Sequence, residues 1–170
     1  HDQLGEAIAD ALIQKINEGV QVRILYDDMG SRRLSKKYVR KLRAAGGEVE
    51  SFFPPLIPNV NLKINYRNHR KLAIIDGKIG YIGGFNIGDE YLGFNKRFGY
   101  WRDTHLRVTG GAVKSMQTRF ILDWNQASRN DILYEDRYYA AEPSGDVGIQ
   151  IVTSGPDSQW EQIKNGYIKM

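Results

Sequence analysis

The stretch NHRKLAIIDGKIGYIGGFN, residues 68–86, decides the fold of this sequence. Two apolar, β-branched runs flank the dipeptide Asp76-Gly77, a strong signal for a tight turn between antiparallel strands. The stretch therefore predicts a β-hairpin whose strands lie within residues 70–75 and 78–84. His69 and Lys71 precede the turn at i, i+2 spacing, which places both side chains on one face of the first strand.

An imidazole and an ammonium on one strand face form a plausible site for an anion such as phosphate. Lysine neutralises a phosphate oxygen, and an imidazole near pH 7 is available as a nucleophile or proton carrier. Gly83 and Gly84 let a backbone approach closely, and Asn86 offers an amide donor. Each residue also has a purely structural interpretation: a packed or exposed histidine, a lysine guarding a strand edge, an aspartate that favours a turn.

Working outward from the hairpin, the pattern predicts an α/β fold. Residues 4–19 carry apolar side chains at i, i+4 spacing and predict a helix. Residues 20–26 and 48–53 alternate as strands around a helix at 32–45, an order that favours a parallel strand–helix–strand unit. Prolines make 54–61 irregular. Downstream of the hairpin, the pattern predicts a strand at 103–110 and a helix at 111–127.

The C-terminal part of the sequence predicts the beginning of a second unit. Residues 138–148 have the composition of a linker. A strand at 149–154 and a helix from 157 to 170 are expected to follow. We therefore divide the chain into a first half at 1–137, with its motif segment at 63–90, the linker, and an incomplete second half at 149–170.

Composition limits the classes of function. The 170 residues include no cysteine, which excludes disulfides, thiol nucleophiles and thiolate metal sites. Apolar runs are too short to span a bilayer, and the chain starts at His1, so we expect a soluble piece of a longer protein. The net charge is only +4, but residues 32–43 are dense in lysine and arginine without any acid. Such a segment is either a solvated helix face or a surface for a polyanion or anionic membrane.

The residues around the hairpin together fit the pattern H-x-K-x4-D-x6-G-(G/S)-x-N, which resembles the signature of the phospholipase D superfamily. The pattern is filled by His69, Lys71, Asp76, Gly83, Gly84 and Asn86. The segments VRILYDDMGS, NIGDEYLG, WRDTHLRV and SGPDS are similar, in the same order, to bacterial cardiolipin synthases. Gly84 stands where much of the superfamily has serine, and a hydroxyl contact to phosphate would be absent; glycine is common at this position in the cardiolipin synthase branch.

This resemblance implies a phospholipase D-like half with a mixed β-sheet flanked by helices on both faces. It implies phosphatidyl transfer from one phosphatidylglycerol to another, which forms cardiolipin and releases glycerol through a phosphohistidine. His69 would be the nucleophile, while Lys71 and Asn86, with the backbone at Gly84, would hold the phosphate. No cofactor and no metal are implied, since fixed cations stabilise the developing charge.

The acidic residues near the motif have several possible roles. The resemblance places Asp76 in the catalytic motif, but it breaks the parity of His69 and falls at the turn, so we expect it to brace the motif without touching substrate. Asp103 is the preferred partner to orient His69, as the acid of a catalytic triad does. A salt bridge from Asp103 to Arg102 or Arg107 is its structural alternative. Lesser candidates are Asp27, Asp28 and His105.

The implied partners are anionic phospholipid, a membrane surface, and a second motif-bearing half from the same parent chain or a second copy. The parent protein would act at the bacterial cytoplasmic membrane, where FFPPLIP (52–58) either dips into lipid or packs on its own domain. Two alternatives stay open. One is a homodimeric phosphodiesterase or nuclease with one motif per chain, although nucleic acid is the less favoured partner. The other is a silent half that only binds phosphate or anionic lipid.

Overall fold

The computed structural model of the protein describes residues 3–32, 34–52, 67–94, 99–155 and 159–170. The helices and strands follow each other in the order α1 (Gln3–Asn17), β1 (Arg23–Asp27), α2 (Lys36–Ala44), β2 (Glu48–Phe52), β3 (Lys71–Ile75), β4 (Ile79–Gly83), β5 (His105–Thr109), α3 (Ala112–Ala127) and α4 (Gln162–Lys169). Short 3₁₀ turns occur at Asp89–Leu92 and Asp136–Tyr139. The predicted α/β class is confirmed.

β1 and β2 pair in parallel and are covered by helices on both faces. Because strand side chains alternate, Ile24 and Tyr26 pack towards α1 and α2 while Leu25 packs towards α3. The core on the first face is centred on three buried side chains, Ala9, Leu42 and Val49. This arrangement confirms the parallel strand–helix–strand unit that the sequence predicted.

β3, β4 and β5 form an antiparallel sheet with the order β3-β4-β5. The turn between β3 and β4 has positive φ at both central residues, 54° at Asp76 and 63° at Gly77, and Lys78 donates its backbone N–H to the Ile75 carbonyl at 3.0 Å. Positive φ at both positions is the geometry of a type I′ turn, whose twist matches that of antiparallel strands. The predicted hairpin is confirmed.

α3 lies between the two sheets and determines which face of the antiparallel sheet is buried. Its Val113 and Met116 pack against Leu72, Ile74 and Ile82 of that sheet, together with Val108 of β5. Its Ile121 and Trp124 belong to the core beneath β1. The residues of opposite parity on β3, β4 and β5, which include Lys71 and His105, therefore lie on the sheet face turned away from α3.

Several boundaries differ from the sequence predictions. The predicted strand at 149–154 is wrong: this segment makes no strand pairing with the described residues, although Ile151 packs beside the core of the antiparallel sheet. The helix predicted at 32–45 begins at Lys36, where Ser35 caps it, and the final helix is shorter than 157–170. The expected mixed sheet is divided in the described part of the chain: the parallel pair β1-β2 forms one sheet, and the antiparallel strands β3-β4-β5 form another. The proline-rich segment 54–61 and most of 52–58 fall outside the described residues.

Candidate active site

The site lies at the end of the antiparallel sheet where β3 begins and β4 ends. Lys71, Gly83 and His105 occupy one row across the three strands, since Lys71 pairs with Gly83 and Gly83 pairs with His105. His69 is exposed, two residues before Lys71. The structure thus brings the start of the motif, its glycines and the WRDTHLRV segment to the same end of the sheet.

The segment that carries His69 is held from one side by Asp27 at the end of β1. The Asp27 carboxylate accepts hydrogen bonds from the backbone N–H of Asn68 at 2.9 Å and of Gly30 at 2.6 Å, and it pairs with the Arg67 guanidinium at 3.0 Å. The Asp27 side chain is only 12% exposed. Asp27 was a lesser candidate in the sequence, and the structure places it as an anchor for the backbone beside His69.

The same segment is held from the other side by Asp123 of α3, which sequence reasoning missed. The Asp123 carboxylate is 4% exposed and accepts from Arg70 at 3.0 Å, from the Asn68 side-chain amide at 3.2 Å and from Arg119 on its own helix. Asn68 and Arg70 are the two neighbours of His69. A carboxylate on the apolar face of a helix could have indicated a buried ion pair. The sequence does not show the partners, because Asn68 and Arg70 are more than about 50 residues away.

We expect Asp123→Asn to destabilise the fold by about 2–4 kcal/mol, because removing this charge leaves guanidinium groups partly buried without their counter-charge. The measurement is equilibrium unfolding in urea. Asp146→Asn serves as the matched control, since Asp146 is exposed and its substitution should change stability by less than about 0.5 kcal/mol. Equal stability of the two variants would contradict the anchoring role of Asp123.

Lys71 lies between carboxylates but is partly withdrawn from solvent. Burial, the largest cause, lowers the pKa of Lys71 below its ordinary value of 10.5; the charges of Asp27 and Asp103 act in the opposite direction, and Arg67 acts with burial. The ammonium donates to the backbone carbonyl of His69 at 2.9 Å. A partly dehydrated ammonium attracts a phosphate more strongly than one that is fully in water, because the local dielectric is lower.

Gly83 and Gly84 make room for two side chains from the WRDTHLRV segment. A Cβ at Gly83 would overlap the His105 imidazole, and a Cβ at Gly84 would overlap the Asp103 carboxylate. His105 also stacks on Phe85, with ring centroids 6.4 Å apart. A serine at position 84 would therefore have to displace Asp103, which gives this glycine a packing reason independent of any phosphate.

Asp103 lies beside the site without the alternative salt bridge that the sequence left open. Among the described residues it forms no ion pair with Arg102 or Arg107, and no hydrogen bond joins it to His69. Its carboxylate accepts from the Thr104 N–H at 2.6 Å and interacts electrostatically with Lys71. The role of Asp103 in orienting His69 stays a prediction.

Asn86 and Asp76 occupy different surroundings from the residues above. The Asn86 amide donates to the Tyr91 hydroxyl at 2.6 Å, and Tyr91 packs edge-on against Trp101 at 5.0 Å. Asp76 sits in the hairpin turn at the far end of β3, about 16 Å along the strand from Lys71. Asp76 therefore lies at the turn, as expected. The bracing role of Asp76 and the phosphate contacts of Asn86 and Gly84 stay predictions.

Comparisons with known proteins add to this geometry. The profile of the family described as "Cardiolipin synthase, PLD-like domain" matches residues 4–124. A cardiolipin synthase of Oceanobacillus iheyensis is 71% identical over 99% of this chain and 35% of its own length. The major cardiolipin synthase ClsA of Bacillus subtilis is 64% identical over 99% of this chain and 36% of its own length, and a cardiolipin synthase of Staphylococcus aureus is 59% identical over the whole chain.

The chain spans about a third of the length of these curated relatives. No solved structure matches it significantly. Within the ranges that the structure describes, none of the helices is both long and apolar enough to cross a membrane.

Proposed function

The chain belongs to the family of cardiolipin synthase, phospholipase D-like domains, and from this premise we propose that it provides one catalytic half of a cardiolipin synthase. The observation that carries the proposal is end-to-end similarity to cardiolipin synthases at 59–71% identity. The site geometry supports it: Lys71 lies at the end of the antiparallel sheet and His69 precedes it by two residues. The Asp103 carboxylate lies beside Gly84 and acts on the charge of Lys71.

The proposed reaction has two steps. In the first, the His69 imidazole attacks the phosphorus of one phosphatidylglycerol; a P–N bond forms, the P–O bond to glycerol breaks, and the leaving alkoxide takes a proton from an acid. In the second, a glycerol hydroxyl of another phosphatidylglycerol attacks the phosphohistidine; a P–O bond forms, the P–N bond breaks, and the hydroxyl proton returns to the same group. Splitting the displacement in this way makes each step easier.

The residues of this chain supply the nucleophile and the charge for both steps. Lys71 neutralises the non-bridging oxygens as negative charge builds on them, and Asp103 orients His69. We assign the acid to the histidine of a second motif, carried by another part of the parent chain or by a second copy. The parent protein is proposed to act at the bacterial cytoplasmic membrane, where its anionic lipid substrate resides.

The proposed function is tested with the intact protein that carries this chain and vesicles of phosphatidylglycerol. Mass spectrometry should detect cardiolipin and free glycerol in equal amounts. Phosphatidic acid alone would indicate a hydrolase and refute the transferase assignment. Cleavage of nucleic acid without lipid turnover would instead favour the nuclease alternative.

The basic helix α2 is the surface that we propose faces anionic lipid. Its cations divide into two groups. Lys41 is paired with Asp10 and Glu6 of α1, and Arg43 with Glu50, so these two stabilise the fold. Lys36, Lys37 and Arg40 are exposed and form no ion pair within the described part of the chain. Only the second group is available to a membrane.

We expect the double variant Lys36→Gln/Lys37→Gln to bind phosphatidylglycerol vesicles about 10- to 30-fold more weakly, since a cation near an anionic surface contributes about 1 kcal/mol. Sedimentation with vesicles measures the effect. The control Lys78→Gln/Lys114→Gln removes two exposed cations elsewhere and should bind as the unsubstituted protein does. An equal loss on neutral phosphatidylcholine vesicles would show that the surface does not recognise charge.

A further inference from the structure

Arg107 lies on the same sheet face as the site, one row further along. On β5 it is separated from His105 by one residue, so the two side chains lie on the same face of the strand. The next residue, Val108, is buried against α3 on the opposite face. Arg107 pairs across the sheet with Tyr81 of β4, which in turn pairs with Ala73 of β3. The row Ala73–Tyr81–Arg107 therefore lies directly beside the row Lys71–Gly83–His105.

The side chains of this second row have unused hydrogen-bonding capacity. Arg107 is exposed, and within the described ranges neither its guanidinium nor the Tyr81 hydroxyl forms an ion pair or a hydrogen bond. Ala73 is small and leaves the surface above the row open. A guanidinium offers two parallel N–H donors that match two phosphate oxygens, and a phenol adds a third donor.

The spacing between the two rows matches the substrate pair of the proposed reaction. Six covalent bonds separate the Cα atoms of residues i and i+2 on a strand, a distance of about 7 Å. When one phosphatidylglycerol attacks the phosphohistidine, its own phosphorus and the reacting phosphorus are joined through a glycerol unit, again by six bonds. A reacting phosphate held by Lys71 of the first row would therefore place the acceptor's phosphate near Tyr81 and Arg107.

We propose that Arg107 and Tyr81 bind the phosphate of the acceptor phosphatidylglycerol, so that the site selects a phosphate-bearing alcohol over free glycerol or water. This inference rests on the proposed function. It assigns the row Lys71–Gly83–His105 to the reacting phosphate and the row Ala73–Tyr81–Arg107 to the phosphate that does not react.

The test compares two reactions of the intact protein on phosphatidylglycerol vesicles. One is cardiolipin formation, which needs the acceptor's phosphate. The other is incorporation of ¹⁴C-glycerol into phosphatidylglycerol, which uses the same phosphohistidine but an acceptor without phosphate. Arg107→Gln should lower cardiolipin formation about 10- to 100-fold and change glycerol exchange less than about threefold. Tyr81→Phe should act in the same direction with a smaller effect, and Arg107→Lys should restore part of the loss.

The control is Arg129→Gln, which removes an exposed guanidinium that follows α3, away from this sheet face, and should leave both reactions unchanged. An equal fall of both reactions in Arg107→Gln would overturn the inference, because the residue would then support the fold or the donor site. No fall in either would also overturn it and leave Arg107 as a charge on an edge strand. Absence of cardiolipin from the unsubstituted protein would refute the proposed function itself.

Discussion

His69→Asn is expected to lower cardiolipin formation by the intact protein at least about 10⁴-fold, because the variant has no group that can form the P–N bond. Asparagine resembles the imidazole in size and polarity, and His69 is exposed, so the fold should be unaffected. The substitution therefore separates chemistry from stability. Turnover of phosphatidylglycerol at different substrate concentrations measures the loss, which should appear in kcat.

A second measurement identifies the nucleophile directly. Rapid quenching in base during turnover, followed by mass spectrometry of peptides, should find a phosphatidyl adduct on the peptide that contains His69. The matched control is His105→Asn, which replaces the other imidazole at this end of the sheet; its adduct should still form on the His69 peptide. Retained cardiolipin formation in His69→Asn, or an adduct on the His105 peptide, would refute the assignment of His69.

Local patterns were sufficient to predict the elements that position His69. A type I′ turn requires positive φ at both central positions, and Asp76-Gly77 is one of the few dipeptides that tolerate it. The i, i+2 spacing of His69 and Lys71 predicts a shared face if the strand conformation continues back to His69. Such signals depend only on residues that are close in sequence, which explains why the hairpin was predicted correctly. Because β3 begins at Lys71, the shared face of His69 and Lys71 stays a prediction.

Contacts between distant segments could not be predicted in this way. The pattern IQIVTS at 149–154 alternates as a strand does, yet an extended segment that packs only Ile151 against a core produces the same pattern. Gly84 was interpreted as an approach to phosphate, and its neighbour proves to be Asp103. Asp123 was missed because a single carboxylate in a helix does not reveal that Asn68 and Arg70 will meet it.

Asp103→Asn is the second substitution with a large expected effect, a fall of about 10²- to 10⁴-fold in the rate of adduct formation. Asparagine keeps the shape but removes the charge that would orient the imidazole and stabilise its cationic form. It also removes a charge that raises the pKa of Lys71. Since burial already lowers the pKa of Lys71, losing Asp103 should lower it further, and phosphate binding should then decline at a lower pH than in the unsubstituted protein.

The pH dependence of the rate distinguishes a positioning role for Asp103 from a merely structural one, because only the first shifts the alkaline limb of the profile, where the rate falls as Lys71 loses its proton. A destabilised fold would reduce activity equally at every pH, whereas a changed electrostatic environment moves the limb. Asp131→Asn, an exposed aspartate after α3, should leave both the rate and the limb unchanged. Gly84→Ala provides an independent route, since its Cβ would overlap the Asp103 carboxylate and displace it. If Gly84→Ala and Asp103→Asn both retained full rates, His69 would have to be oriented by Asp27 and Asp123 alone, through their contacts with its neighbours.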